Sequence, residues 1–221
     1  MENKWKEYWK TRIKGNQNYY GKYGSNADFL ISGLKLKAGD KILDIGCGTG
    51  AFLSDIRKKI KNIKCYGIDI SKDAISLNKD KNISLLQADM ENLPYKNNSF
   101  SAIFSLGTVE HSPNTEKILK EVYRVLKPGG RVLITVPNKI SFFHITKNIK
   151  MLFGKWDLGY EKSFSPRHFR KLLENAGFIQ ISETKVIPHP KVNNIFNMFD
   201  NLLNKIDSKL FGFFIFQYAK K

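Results

Sequence analysis

Cysteine is nearly missing from this chain, with only Cys47 and Cys65 among 221 residues. Two isolated thiols make neither a disulfide framework nor the ligand spacing of a metal site, so a reduced, cytoplasmic compartment is expected and no metal is called for. Long apolar runs are missing as well. No stretch approaches the roughly 20 residues that span a bilayer, and the opening Met1-Glu2-Asn3-Lys4-Trp5-Lys6 is charged where a secretory leader carries an apolar core. There are no internal repeats and no low-complexity tails. Acidic residues are scarce, 20 against 37 Lys and Arg, which gives a formal net charge of +17. The excess is spread along the chain, +9 over residues 1–137 (23 basic less 14 acidic) and +8 over the remainder, so it reads as a generally cationic surface and no nucleic-acid partner is expected.

The hydrophobic fraction of 42% at this length is enough for one large domain with a full core. Asn26 is placed to cap a helix reaching about Lys37, with Phe29, Leu30 and Leu34 on one face. A strand at 41–45, a helix at 50–60 and a strand at 64–69 follow, and Ser71 with Asp73 opens the next helix. Residues 83–87 and 99–105 read as strands separated by a polar loop. Pro113 fits the first turn of a helix ending near Leu126, and Lys127-Pro128-Gly129-Gly130 reads as a turn into a strand at 131–136. This alternation predicts an α/β, doubly wound, mostly parallel seven-stranded sheet, Rossmann-like, with helices on both faces.

Beyond Pro137 the rhythm changes. Ile145, Ile149, Leu152 and Trp156 fall on one helical face, and Ser165-Pro166 opens a helix that Gly177 stops. A strand at 178–187, an amphipathic helix over about 191–210 and a strand at 211–218 close the chain. Periodicity alone lets that last strand pair run either way, an antiparallel edge being common in such sheets. Four regions result: N-terminal helices over the site (1–37), the core (38–137), a helical cover or acceptor-binding insertion (138–164) and a C-terminal part that completes the sheet (165–221).

The most telling stretch is Ile42-Leu43-Asp44-Ile45-Gly46-Cys47-Gly48-Thr49-Gly50, an apolar strand running into alternating glycines, followed by Asp69 at the tip of the next strand. Strand, glycine turn, helix and acid-tipped strand form a nucleoside-binding half of a doubly wound sheet, with the acid placed for ribose hydroxyls. Gly46 to Ala51 also satisfies a dinucleotide fingerprint, so a nicotinamide-dependent or nucleotide-sugar oxidoreductase or epimerase is the alternative. Asp44 argues against it, because an acid there repels a pyrophosphate but attracts a ligand carrying an ammonium and a sulfonium. Asp89, after the third strand, is placed to accept from an adenine amino group.

These blocks, with Gly67-Ile68-Asp69-Ile70-Ser71, Ala88-Asp89-Met90, Val109-Glu110-His111, Glu121 to Gly130 and Phe164-Ser165-Pro166 through Gly177-Phe178, resemble the class I S-adenosylmethionine-dependent methyltransferases. The likeness is to the small-molecule branch that includes the quinone-biosynthesis enzymes and covers about residues 38–182. It implies S-adenosyl-L-methionine as cofactor, with Gly46, Gly48 and Gly50 passing beside its methionine part. It implies further that Asp44 orients the ammonium, Asp69 holds the ribose, Ile70 and Met90 flank the adenine, and Asp89 takes the adenine amino group. Ser105 and Leu106 would lie next to the sulfonium.

A general base helps if the methyl acceptor is a hydroxyl, and His111 with Glu110 has the best position for one, with His144, Tyr160 and His168 as further candidates. Ser105-Leu106-Gly107-Thr108 stands where enzymes that methylate planar amino groups usually carry an Asn/Asp-Pro-Pro-aromatic tetrapeptide, which leaves small molecules, quinones, lipids and sugars as acceptors. Residues 139–171 hold eight basic residues and two acids among aromatics. Such a segment can cover a lipid-like or anionic acceptor, or lie against a membrane surface as a peripheral contact.

Overall fold

The structure, a computed structural model, describes residues 27–153, 160–182, 185–187 and 212–221. The expected cap at Asn26, the N-terminal stretch before it, Trp156 and the helix over 191–210 lie outside these residues. In chain order the elements are α1 (Asp28–Gly33), β1 (Lys41–Ile45), α2 (Ala51–Lys59), β2 (Lys64–Asp69), α3 (Lys72–Ser76), β3 (Ser84–Gln87) and β4 (Phe100–Leu106). A 3-10 turn (Val109–His111), α4 (Thr115–Val125), β5 (Leu126–Pro137), α5 (Phe142–Leu152), α6 (Pro166–Asn175), β6 (Lys185–Ile187) and β7 (Phe214–Lys220) follow.

The strands form one seven-stranded sheet in the order β3-β2-β1-β4-β5-β7-β6. β3, β2, β1, β4 and β5 run parallel, whereas β7 is antiparallel to both β5 and β6. The strand pair that periodicity left open is therefore antiparallel. Neighbouring residues on the central strands feed opposite faces. Leu43, Ile103 and Val132 join a core with Ile118, Val122 and Phe169, whereas Ile42, Phe104 and Leu133 pack with Leu30, Leu53 and Ile56. Each such side chain removed from water contributes roughly 1.5–3 kcal/mol, which explains why these strands are apolar on both sides.

Several boundaries differ from the expectations. Lys127–Gly130 is not a turn before a strand but an excursion within β5. Leu126 already pairs with Phe100, and the ladder resumes at Arg131 opposite Ala102. Gly129 takes φ +70° and its N–H donates to the Lys221 carbonyl, so the end of β7 holds the excursion in place. Pro113 lies ahead of α4, outside its first turn, because Val109–His111 close a 3-10 turn first. Of the strand expected over 178–187, the described residues show a bridge between Ile179 and Lys220 and the three residues of β6, and Gln180 takes the left-handed region at φ +47°.

Helix α5 carries the apolar face that periodicity marks, and its inward side is polar. Ser141 caps it by accepting from the His144 N–H, and the residues that turn inward are His144 and Lys147, each 1% exposed. Ile145, Ile149, Leu152 and Phe153 face outward, exposed by 44, 50, 84 and 73%. Among the described residues no helix is long and apolar enough to cross a membrane.

Candidate active site

The parallel strands deliver their carboxyl ends to one edge, where crevices form in doubly wound sheets. Past β1, Gly46 takes φ +76° and its N–H and that of Cys47 both donate to the Ile68 carbonyl, at 2.8 and 2.9 Å. A β-carbon on Gly46 would lie 2.2 Å from the Thr108 hydroxyl, so only glycine lets the β4 loop close over this turn. Asp69 ties the turn to α3: one carboxylate oxygen accepts from the Gly48 N–H and the other from the Ser71 N–H, both at 2.8 Å. Each oxygen keeps a lone pair for a further donor.

A cavity of about 460 Å³ opens above these residues. Of the candidate residues, Asp44, Gly46, Gly48, Asp69, Ile70, Asp89, Met90, Leu106 and His111 all line it. Two predicted residues do not. Ser105 is buried and its hydroxyl donates to the Ile45 carbonyl at 2.9 Å, tying β4 to β1 from behind. Gly50 faces Ile83, Leu85 and Asn78, where a β-carbon would collide, so it is a packing glycine.

Burial pushes the Asp44 carboxyl well above its usual range, and the nearby charge of Asp69 adds to the push. Burial also raises Asp69, against the three backbone amides that favour its charge. Two crowded, partly dehydrated carboxyls suit a ligand with a positive centre and a vicinal diol. S-adenosylmethionine carries both, so the donor set fits that cofactor.

The far end of the cavity is built by segments whose part in the site the sequence signalled only weakly. Phe213, Phe214 and Phe216 of β7 and its approach line it, with Thr135, Pro137, Glu110, His144 and Glu161. Phe213 and Phe214 meet edge to face at 4.6 Å, and the His144 ring lies 4.5 Å from Phe213. Residues 160–163 brace this end. The Lys162 N–H donates to the Glu110 carbonyl at 2.9 Å, and the Tyr160 carbonyl lies 3.1 Å from His111 Nδ1. A carbonyl only accepts, so Nδ1 carries the hydrogen and Nε2 the lone pair. Burial lowers the His111 pKa, against that hydrogen bond and the charge of Glu161, which keeps the ring neutral at physiological pH.

Lys147 Nζ reaches Glu161 Oε1 at 2.7 Å and the Ser163 hydroxyl at 2.9 Å, while His144 Nε2 stands 3.9 Å from the same carboxylate. This buried pair locks α5 onto the segment beneath it. Lys147→Met strands the Glu161 charge and is expected to cost about 3–5 kcal/mol of unfolding free energy in urea titrations. A loss under about 1 kcal/mol would show the pair to be idle. Of the other base candidates, Tyr160 is half-exposed and outside the cavity, and His168 stacks on Phe164 at the surface. The anionic acceptor allowed by the basic cover meets no lysine or arginine among the described lining residues.

Fold and site together define a doubly wound protein with a crevice for a cationic nucleoside cofactor. Residues 43–134 match the family model described as a methyltransferase domain. The chain is 30% identical over 179 residues to the demethylmenaquinone methyltransferase of Lactobacillus johnsonii, covering 69% of this chain and 73% of that one. It is 40% identical over 147 residues to an uncharacterized protein of Methanocaldococcus jannaschii, covering 65% of this chain but 56% of that relative's length. A solved methyltransferase of Thermotoga maritima, titled a possible histamine N-methyltransferase, shares the fold with a TM-score of 0.67 at 20% identity over 95% of each chain. The chain belongs to the class I S-adenosylmethionine-dependent methyltransferases, with the quinone-biosynthesis enzymes among its relatives.

Proposed function

We propose that this protein transfers a methyl group from S-adenosylmethionine to a small-molecule acceptor seated at the aromatic end of the cavity. The observation that carries the reading is a single cavity lined both by the acid-framed glycine turn and by the aromatic rings of Phe213, Phe214 and Phe216. In this reading Asp69 accepts from the ribose hydroxyls, and Asp44 faces the methionine ammonium past the backbone of Gly46 and Gly48. Ile70 and Met90 flank the adenine, Asp89 takes its amino group, and Leu106 borders the sulfonium. Ser105 and Gly50 act from behind, by holding the turn. When bound, the cofactor supplies a methyl already activated on sulfur, so the protein's remaining tasks are orientation, exclusion of water and removal of the acceptor's proton. His111 is the base, its neutral ring offering Nε2.

Transfer of the labelled methyl of S-adenosylmethionine into metabolite and lipid extracts tests this directly. A labelled small product that requires the protein supports the reading, and label found only in protein or RNA contradicts it. The relative from Lactobacillus is named for a quinone substrate, and the outward apolar side of α5 supports an acceptor drawn from a membrane surface. Residues 138–164 then act as the cover, with Ile145, Ile149, Leu152 and Phe153 meeting lipid. The purified protein is expected to co-sediment with anionic liposomes at low salt and to be released as salt rises. Failure to sediment under either condition removes the membrane contact from the proposal.

A further inference from the structure

The charge inside the cavity opposes the charge of the chain. In a protein with 37 basic and 20 acidic residues, the described lining holds six carboxylates and no lysine or arginine. Asp44, Asp69 and Asp89 frame the proposed cofactor end, and Glu91 is engaged by Ser112, Asn114 and Lys117. Glu161 is neutralised by Lys147. Glu110 is different. It is 2% exposed, it borders the cavity, and its Oε2 has no hydrogen-bond partner among the described residues. Its own backbone amide hydrogen-bonds the carboxyl, so the orphan is the one oxygen Oε2, and buried carboxyl oxygens without partners are rare because the lost hydration is not replaced.

Its surroundings identify what is missing. Glu110 sits on the 3-10 turn whose carbonyl is fixed by the Lys162 amide, so its position is held from outside the cavity. The phenyl rings of Phe213 and Phe214, edge to face with each other, line the same cavity. A carboxylate beside aromatic faces is the combination that binds an alkylammonium, by a charge-assisted hydrogen bond and by cation–π attraction. An alkylammonium can ionise this acid and hold it as a carboxylate, whereas a phosphate or carboxylate opposes that ionisation and a neutral alcohol leaves the acid protonated.

Resting on the proposed methyltransferase function, we infer that the acceptor is an amine whose ammonium group binds between Glu110 and the Phe213–Phe214 wall. The groups acting on the Glu110 carboxyl are its own backbone amide and the charges of Glu161 and Lys147, of opposite sign, and the rings of His111 and His144 line the same cavity. Burial pushes Glu110 up to about 8, so near neutrality the empty site holds a carboxylic acid. Entry of an ammonium turns that acid into a carboxylate, and its proton leaves to solvent. One proton is therefore released for each amine bound. His111, at the next position, then takes the proton that must leave the nitrogen before it can accept a methyl.

The test is calorimetry on the full chain saturated with S-adenosylhomocysteine, at pH 7, in two buffers of different ionisation enthalpy. The probes are 2-phenylethylamine, 2-phenylethanol and 2-phenylethyl phosphate. The amine is expected to bind about tenfold or more tighter than either analogue and to release close to one proton. Glu110→Gln should weaken the amine by about tenfold and abolish the release, while leaving affinity for the alcohol and for S-adenosylhomocysteine in place. Preference for the alcohol or the phosphate, or amine binding without proton release in the wild-type chain, overturns the inference. No amine binding in a chain that still binds S-adenosylhomocysteine overturns it too, and leaves the methyltransferase reading standing. Failure to bind S-adenosylhomocysteine would instead defeat that reading.

Discussion

Replacing Asp69 with alanine is expected to weaken S-adenosylmethionine binding by about two orders of magnitude or more, with the fold retained. The size of the effect comes from two losses at one residue. The carboxylate is the acceptor assigned to the ribose hydroxyls, and it also holds the Gly48 and Ser71 amides at 2.8 Å. Without it the glycine turn loses its tie to α3, and two backbone N–H groups lose their acceptor. Titration calorimetry measures the affinity, and far-ultraviolet circular dichroism separates loss of the site from loss of the fold. Full affinity in this variant would show that the ribose assignment is wrong.

The second large effect is on the pH dependence of stability, and its sign follows from Glu110. Burial raises this carboxyl from its ordinary 4.5 to about 8, with Glu161 adding to the rise and Lys147 opposing it. In the unfolded chain the proton leaves near the ordinary value, whereas the folded chain keeps it until about pH 8. Between those limits the unfolded state binds fewer protons, so stability falls as pH rises. The contribution is fully present below the unfolded value and is lost by the time pH has passed the folded one. Glu110→Gln should remove this slope and make the chain more stable than wild type at pH 8, by an amount on the order of a few kcal/mol. Urea titrations at pH 5 and pH 8 read both quantities. A slope that persists unchanged in the variant would place the titrating group elsewhere.

The legible part of this molecule is the part encoded locally. The glycine turn, the acids at the strand tips and the strand–helix alternation each follow from a short stretch of sequence, and β1 to β4 appear where their apolar runs lie. The caps at Ser71 and Ser165 could be read because one hydroxyl decides each. Features set by contacts distant in sequence were harder to read. Ser105 stands at the expected strand tip, but its side chain turns back to Ile45 because alternation along β4 aims it there. Lys127–Gly130 has a turn's composition, but the end of β7 captures it into β5. The periodicity of α5 puts Ile145, Ile149 and Leu152 on one side but does not say what that side meets, and the pairing of Lys147 with Glu161 turns the opposite side inward. The aromatic wall was invisible for a related reason. Phe213 and Phe214 come to the cavity only because β7 inserts antiparallel beside β5, which no local pattern specifies.

The central claim is that the cavity at the β1 turn holds S-adenosylmethionine and serves methyl transfer. Calorimetric titration of the full chain with S-adenosylmethionine, S-adenosylhomocysteine and NAD tests it most directly. The account predicts saturable binding of both sulfur cofactors at one site per chain, competition between them, and no binding of NAD. Binding of NAD without binding of S-adenosylmethionine would contradict it.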